Sequence, residues 1–426
     1  MILFGIFTFK FNSLFQKDKK FQILFFNDLH YNPFYNPNGD PKHWCEGKNL
    51  SDSLSYQYGI YGCDSSDKLY SSLIETFKYL KITPSLIIFC GDSLRFENAT
   101  MKEINQWLFK FMTDISKLFP NIPFMMTLGN TEYSPSYGSY INDSNTFQSL
   151  SQSFSFFLND NQLLTFKKGG YYFQDFPSHH LRIINLNSIL YNHKHYISLN
   201  LNLSLNNISD PWDQFEWLEN SIKDAKIKKL EPLIVTHIPP NKIWYPNGLI
   251  GWESKYSISF FKILEKYDIQ PILVGHSHLD LIMPIYNYKN NYNNNSNNNY
   301  SSEFVAISSP SVSPEHGNNP GFRIYTIENG KLSDYIQWTA DLSLGFIDDI
   351  QWKENYVFSK YYGTNDFRHF PKILKENNNL MKKYVHTIYG NSSPWSSFAY
   401  CITLSTNQTL FDKCMKERRF TPLLDF

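Results

Sequence analysis

Five short apolar runs in this chain each end on residues able to hold a metal ion or move a proton. Residues 21–26 lead into Asn27-Asp28-Leu29-His30, 86–90 into Gly91-Asp92, 124–128 into Gly129-Asn130, 233–236 into His237, and 272–274 into Gly275-His276-Ser277-His278. Singly these are weak signals. Gly-Asp and Gly-Asn are ordinary turn dipeptides, and a lone histidine after a strand is more often a satisfied structural residue. Asp28-x-His30 and His276-x-His278 say more, because side chains two apart on an extended segment point the same way. The ordered set makes coincidence a poor explanation. Asp28, His30, Asp92, Asn130, His237, His276 and His278 offer nitrogen and oxygen donors and no thiolate, a set suited to Zn²⁺, Fe or Mn²⁺. Two ions sharing one carboxylate divide them: Asp28, His30, Asp92 and His278 on one, Asp92, Asn130, His237 and His276 on the other. At a separation of about 3.5–4 Å, two such ions clamp a phosphoryl group and lower the pKa of a bridging water that attacks phosphorus in line.

The elements that must position these groups are legible in outline. The apolar runs have strand length, and most are rich in β-branched or aromatic residues. Helical patterns lie between them: Leu69, Leu73, Phe77 and Leu80; then Ile104, Trp107, Leu108, Phe111, Ile115 and Leu118. Asp210-Pro211 predicts a helix opened by an acidic N-cap and a proline at its first position, with Phe215, Leu218 and Ile222 on one face. Alternating strands and helices indicate an α/β fold whose sheet is covered on both faces. The candidate ligands then fall at the carboxyl ends of strands, where open α/β sheets bind ligands. Residues 286–301 are Asn-rich and read as a surface insertion. Beyond Trp338 strand signals fade, so residues 1–20 read as an N-terminal segment, 21–338 as the catalytic domain and 339–426 as a small, mainly helical C-terminal domain.

Composition bounds the rest. In 426 residues, 42% are hydrophobic and 18% charged, so a large core is possible and wholesale disorder is excluded. Lys and Arg number 39, as do Asp and Glu; zero net charge gives no general attraction for a polyanion, and no nucleic-acid polymer is expected as partner. No apolar run approaches the ~18 residues of a membrane-spanning helix. Residues 1–9 have the length of a secretory apolar region but lack a basic start and a small-residue cleavage site, so they read as a poor or remnant signal peptide. Glycosylation acceptor patterns occur at Asn49, Asn98, Asn142, Asn202, Asn207, Asn294, Asn299, Asn391 and Asn407. Cys45 with Cys63, and Cys401 with Cys414, read as disulfides, leaving Cys90 free in its apolar run. Five reduced thiols in a cytosolic protein are the alternative; sequons and paired cysteines together favour secretion.

The order Asp28-x-His30, Gly91-Asp92, Gly129-Asn130, His237, Gly275-His276-x-His278 resembles the calcineurin-like metallophosphoesterases, over about residues 21–338. Three further segments look like the acid sphingomyelinase and acid-sphingomyelinase-like branch. They are Tyr61-Gly62-Cys63-Asp64-Ser65; Asp210-Pro211 with Gln214-Phe215-Glu216-Trp217-Leu218; and Ser309-Pro310-Ser311-Val312-Ser313-Pro314 with Asn319-Pro320-Gly321-Phe322-Arg323. With its first strand opening at Phe21, the chain is similar to the sphingomyelinase-like phosphodiesterases, which lack the saposin-type domain of acid sphingomyelinase itself. The resemblance implies a four-layer sandwich, two central β-sheets flanked by helices, with a small helical C-terminal domain. It implies two Zn²⁺ ions on the ligands above, a secreted or lysosomal glycoprotein, and a small phosphodiester or lipid head-group substrate. Sphingomyelin cleaved to ceramide and phosphocholine, nucleotide substrates and phosphoanhydrides all fall within the branch. A monomer is expected.

Two positions depart from the branch. Its Gly-Asp motif is commonly followed by a histidine four residues after the Asp, and its Gly-Asn motif by a histidine directly; here Phe96 and Thr131 stand there. Those histidines are the implied phosphate contacts and leaving-group acid, so no catalytic residue is assigned beyond the metal-bound water. Loss of general acid catalysis costs about 10²–10⁴-fold, which predicts activity narrowed toward good leaving groups. A phosphoprotein or polyphosphate hydrolase is a second enzyme reading, the neutral charge counting against a long polyanion. A low-activity or inactive secreted metal-binding homologue is the alternative of a different class. Arg95, Glu132, Tyr133 and His316 lie near the motifs and read as solvated or hydrogen-bonded surface residues. His43, His179, His180, His193, His195, His369 and His386 read as exposed or structurally satisfied.

Overall fold

The computed structural model describes residues 20–47, 55–95, 99–138, 145–192, 208–240, 251–269, 271–285, 304–342, 349–388, 401 and 413–416. The nine glycosylation acceptors, Phe96, His193, His195, the Asn-rich stretch and the N-terminal apolar run all lie outside these residues.

Among the described residues twelve strands are formed in chain order: β1 (Phe21–Phe26), β2 (Leu86–Phe89), β3 (Phe124–Met126), β4 (Tyr172–Phe176), β5 (Leu181–Leu186), β6 (Glu231–Thr236), β7 (Ile272–Val274), β8 (Leu281–Ile285), β9 (Phe304–Ser308), β10 (Gly321–Glu328), β11 (Lys331–Ala340) and β12 (Trp352–Val357). They make two six-stranded sheets, in the orders β12-β11-β10-β1-β2-β3 and β4-β5-β6-β7-β9-β8. In the first sheet β1, β2 and β3 run parallel; in the second, β5, β6, β7 and β9 do. These parallel strands are nearly continuous apolar runs because both faces are covered.

The covering helices are α1 (Asp67–Tyr79), α2 (Met101–Leu118), α3 (Asn145–Phe154), α4 (Asp160–Gly169), α5 (Gln214–Ile227) and α6 (Ser254–Tyr267). α2 shows why they form where they do. Thr100 Oγ1 accepts the Glu103 N–H at 3.3 Å while Glu103 accepts the Thr100 N–H at 2.8 Å, a capping box, and Ile104, Trp107, Leu108, Phe111, Met112 and Ile115 bury one face. Two disulfides join Cys45 to Cys63 and Cys401 to Cys414, and Cys90 is free and buried.

Two expectations are corrected. Asp210-Pro211 opens a 3₁₀ turn, Pro211–Asp213, and the α-helix starts only at Gln214. Trp212 and Asp213 take left-handed backbone there, yet Asp210 still caps, its carboxylate accepting the N–H groups of Phe215 at 2.8 Å and Glu216 at 3.0 Å. The first sheet also continues beyond Trp338: β11 runs to Ala340 and β12 pairs with it antiparallel. Only after that strand does the chain become helical, as α7 (Phe358–Tyr362), α8 (Phe370–Glu376) and α9 (Asn378–Ile388).

The sheets are tied to each other by polar groups as well as by the core. Asn185 and Tyr172 of the second sheet both donate to the Met126 carbonyl, and Tyr172 Oη accepts the Met126 N–H at 2.8 Å. Arg323 on β10 is fully buried and donates to the Ser308 carbonyl at 2.8 Å, to Gln337 at 2.6 Å, and to Asp280, which also accepts from Tyr356 on β12.

Candidate metal centre

Because β1, β2 and β3 point one way and β6, β7 and β9 meet them at the same rim, the five loops after β1, β2, β3, β6 and β7 converge. Asp28, His30, Asp92, Asn130, His237, His276 and His278 are all buried there. Asp28, Asp92, His237 and His276 form one group whose donor atoms lie within 4.8 Å of one another, and Asp28, His30 and His278 form a second. Asp28, His30, Asp92, His276 and His278 all have φ between 42° and 64°. Left-handed backbone is uncommon for non-glycine residues, with Asp, Asn and His the most tolerant, and its clustering here marks a site held against local preference.

Small residues permit the approach. A Cβ on Gly91, at φ 83°, would meet the Gly129 nitrogen at 2.6 Å; one on Gly129 would collide with Asp92. The two loops are fastened by Glu132, whose buried carboxylate accepts the N–H groups of Gly129 (2.7 Å), Ser93 (2.8 Å) and Asp92 (3.0 Å). Burial, and then the charge of Asp92, push the Glu132 carboxyl up, with those N–H groups opposing the rise.

Each carboxylate is tied by one oxygen and leaves the other facing the histidines. Asp28 Oδ2 accepts from the His276 N–H at 2.9 Å and from Asn27, leaving Oδ1 at 3.3 Å from His278 Nε2 and 3.9 Å from both His30 Nε2 and His237 Nε2. Asp92 Oδ1 accepts from the Thr131 N–H at 2.9 Å, leaving Oδ2 between His237 Nε2 at 3.2 Å and His30 Nε2 at 3.5 Å. His237 Nδ1 donates to the Cys90 carbonyl at 2.6 Å, which sets the tautomer and turns Nε2 inward. Burial would raise both carboxyls, but the adjacent histidines hold Asp28 well below the usual carboxylate range and Asp92 at about 2. Burial would lower the imidazoles, but the carboxylates raise His237 well above its usual value and His30 to about 10.

Asp28 Oδ1, His30 Nε2, Asn130 Oδ1 and His237 Nε2 are buried without hydrogen-bond partners. Orphaned buried donors and acceptors are costly, and His30 Nε2 and His237 Nε2 both lie 3.9 Å from Asp28 Oδ1. The donor set therefore fits divalent cations: ionised carboxylates, inward imidazole nitrogens and an amide oxygen.

Residues singled out by motif proximity resolve differently. Arg95 pairs with Glu46 and Glu103 and lies over the Phe34 ring at 4.6 Å. Tyr133 is a core residue whose hydroxyl accepts from Asn187 at 2.8 Å. His316 packs its ring 4.3 Å from that of His278; desolvation and the nearby His278 and His30 hold it well below the usual imidazole range. Arg95, Glu132 and Tyr133 are therefore buried rather than surface residues. His43, His180, His369 and His386 are exposed, and His179 packs on Phe21.

Two acidic residues at the site carry no motif of their own. Asp64 Oδ1 stands 4.0 Å from His30 Nδ1, delivered by the turn that the Cys45–Cys63 disulfide closes, and Glu315 Oε2 stands 3.9 Å from His30 Nε2. Both belong to turns, where an isolated acid gives no periodic signal; only their place within the branch-like segments around Cys63 and Ser313 distinguishes them.

The family model for calcineurin-like phosphoesterase matches residues 21–280. Among characterised relatives, the cyclic GMP-AMP phosphodiesterase SMPDL3A of Bos taurus is 27% identical, over 93% of this chain and 91% of the relative. Sphingomyelinase phosphodiesterase D of Dictyostelium discoideum is 30% identical, over 80% and 76%. The acid sphingomyelinase-like phosphodiesterase 3b of Homo sapiens is 26% identical, over 80% and 75%. Matched over most of its length by a family model that ends just past the last of the rim histidines, the chain belongs to the calcineurin-like phosphoesterases.

Proposed function

We propose that this protein is a two-metal phosphodiesterase acting on a small phosphodiester in an oxidising, extracytoplasmic compartment. Asp28, His30, Asp92 and His278 hold one ion, and Asp92, Asn130, His237 and His276 the other. The observation that carries the assignment is the position of Asp92 Oδ2, between one histidine of each set and with its partner oxygen already engaged. When bound, the ions supply charge neutralisation at phosphorus and a nucleophilic water at neutral pH.

The chain's own residues supply geometry. Glu132 fixes the spacing of the Asp92 and Asn130 loops, the Cys90 carbonyl holds the His237 ring, and the Thr131 N–H orients Asp92. Nitrogen- and oxygen-only donors suit Zn²⁺ as expected by resemblance. Thr131 stands where the branch places a histidine, and an alcohol is too weak an acid to protonate a departing alkoxide at neutral pH. Substrates whose leaving group is already stable as an anion, such as the phosphate or nucleotide released from a phosphoanhydride, are favoured over sphingomyelin. The relatives include enzymes named for cyclic GMP-AMP and for sphingomyelin, so both chemistries belong in the test. The two disulfides support the compartment, and among the described residues no helix is long and apolar enough to cross a membrane.

The experiment is a substrate panel on metal-replete protein: bis-p-nitrophenyl phosphate, cyclic GMP-AMP and sphingomyelin, each with wild type and Asp92→Ala. Turnover of the activated ester, abolished by Asp92→Ala, is expected, with cyclic GMP-AMP and sphingomyelin, which both release an alkoxide, turned over far more slowly. Two bound ions with no turnover of any member would instead establish a metal-binding homologue that has lost catalysis.

A further inference from the structure

The loop 309–320, between β9 and β10, is stitched onto two of the ligand-bearing loops. Val312 and Ser313 donate their N–H groups to the carbonyls of Asn27 (3.1 Å) and Asp28 (2.9 Å), and Ser311 donates to the His278 carbonyl (3.2 Å). The Pro314 carbonyl accepts from Gly62 at 3.2 Å and Gly317 at 3.0 Å, and the Glu315 N–H donates to Ser313 Oγ at 3.3 Å. A loop held at this many points delivers its side chains as firmly as a strand end does.

The side chain it delivers inward is Glu315. It is only 6% exposed, and its Oε2 has no hydrogen-bond partner. That oxygen lies 3.9 Å from His30 Nε2, the same nitrogen that faces Asp28 and Asp92. Glu315 also falls within 4.8 Å groupings of donor atoms with His30 and Asp64, and with His278 and His316. A desolvated carboxylate oxygen without a donor is expensive unless a cation neutralises it. The His30 imidazole beside it faces Asp28 and Asp92 as well, so one imidazole is shared among three carboxylates.

We infer that Glu315 is an additional ligand of the dinuclear centre, placing a third carboxylate on the ion held by Asp28, His30, Asp92 and His278. This rests on the two-ion reading above. With Glu315 that ion has three carboxylates and two imidazoles, more donors than the four of tetrahedral zinc and richer in oxygen. Oxygen-rich, higher-coordinate sets suit harder ions such as Mn²⁺. Glu315 thus biases one of the two positions toward a harder ion.

The test is calorimetric titration of ion-free protein with Mn²⁺ alone and with Zn²⁺ alone, on wild type, Glu315→Gln and Glu315→Ala, with thermal melts of the ion-free forms. Wild type should bind two ions. Both variants should keep one site unchanged and lose about 10–100-fold or more in Mn²⁺ affinity at the other, the loss being smaller for Zn²⁺. Their ion-free melting temperatures should match or exceed that of wild type, because one of three carboxylates crowded around a single imidazole has been removed; the paired variants guard against one of them misfolding. A changed electron paramagnetic resonance spectrum of Mn²⁺ bound to Glu315→Gln would support ligation independently of affinity. Superimposable isotherms for all three proteins, with two ions each, would overturn the role of Glu315 and leave the two-ion reading intact. Failure of wild type to bind two ions would overturn both.

Discussion

The departure at Thr131 can be read as a chemical deficit at a single residue. Its backbone N–H still orients Asp92, while its side chain hydroxyl is buried and unpartnered at the rim. Thr131→His should therefore restore a leaving-group acid where geometry already favours one. We expect the variant to raise kcat/KM on sphingomyelin by an amount within the range of general acid catalysis, about 10²–10⁴-fold, with little change on bis-p-nitrophenyl phosphate. An equal gain on both substrates would mean that the histidine acts by binding rather than by proton donation. At this scale Asp28, His30, Asp92, His237, His276 and His278, which the structure groups at the rim, were legible because each follows an apolar run. Glu132 read as a surface residue, and Asp64 and Glu315 were assigned no role. None of these follows a strand directly, and their importance lies in what they touch: His30 for the first and last, three backbone N–H groups for Glu132.

Among elements, β1, β2, β3, β6 and β7 were legible because continuous apolar runs have no competing explanation. β5 and β12 were not. β5 carries Arg182 in its interior, which reads as a solvent-facing charge; in the fold it is fully buried, paired with Asp175 at 2.5 Å and Asp224 at 2.8 Å and stacked over Phe173. β12 (WKENYV) is an edge strand with Lys353 and Glu354 exposed, so its polar pattern carries no strand signal. The Arg323–Asp280 pair joins the two sheets, and removing one partner leaves the other buried and uncompensated. Asp280→Ala should cost about 3–5 kcal/mol of stability, read by denaturant unfolding of the ion-free protein; a loss below ~1 kcal/mol would show that the pair is dispensable. A milder link joins α5 to α6, where Lys266 and Tyr267 donate to Glu219 at 2.6 and 2.9 Å and bring its carboxyl down to about 2. A depressed folded-state value stabilises the fold above the unfolded glutamate pKa of about 4.3 and loses that contribution as pH falls toward 2. Wild type should accordingly be more stable than Glu219→Gln at neutral pH, with the gap closing in acid. A gap independent of pH would assign the difference to packing.

For the whole molecule, the arrangement of two sheets meeting at one rim explains why residues separated by some 250 positions in the chain, from Asp28 to His278, form one site. Neither sheet holds the site alone: Asp28, His30, Asp92 and Asn130 follow strands of the first, and His237, His276 and His278 follow strands of the second. The C-terminal helices brace this arrangement from behind, Tyr384 Oη accepting the Ile282 N–H at 2.6 Å on β8. That the two sheets must pack face to face was not readable from strand patterns; it followed from the family resemblance, and the shared apolar core, with the polar ties at Met126 and Arg323, holds it together. The most direct measurement is anomalous diffraction from crystals grown with added Zn²⁺ or Mn²⁺. Two peaks about 3.5–4 Å apart, with an oxygen of Asp92 between them, are predicted. A single peak, or two peaks that Asp92 does not bridge, would contradict the dinuclear centre.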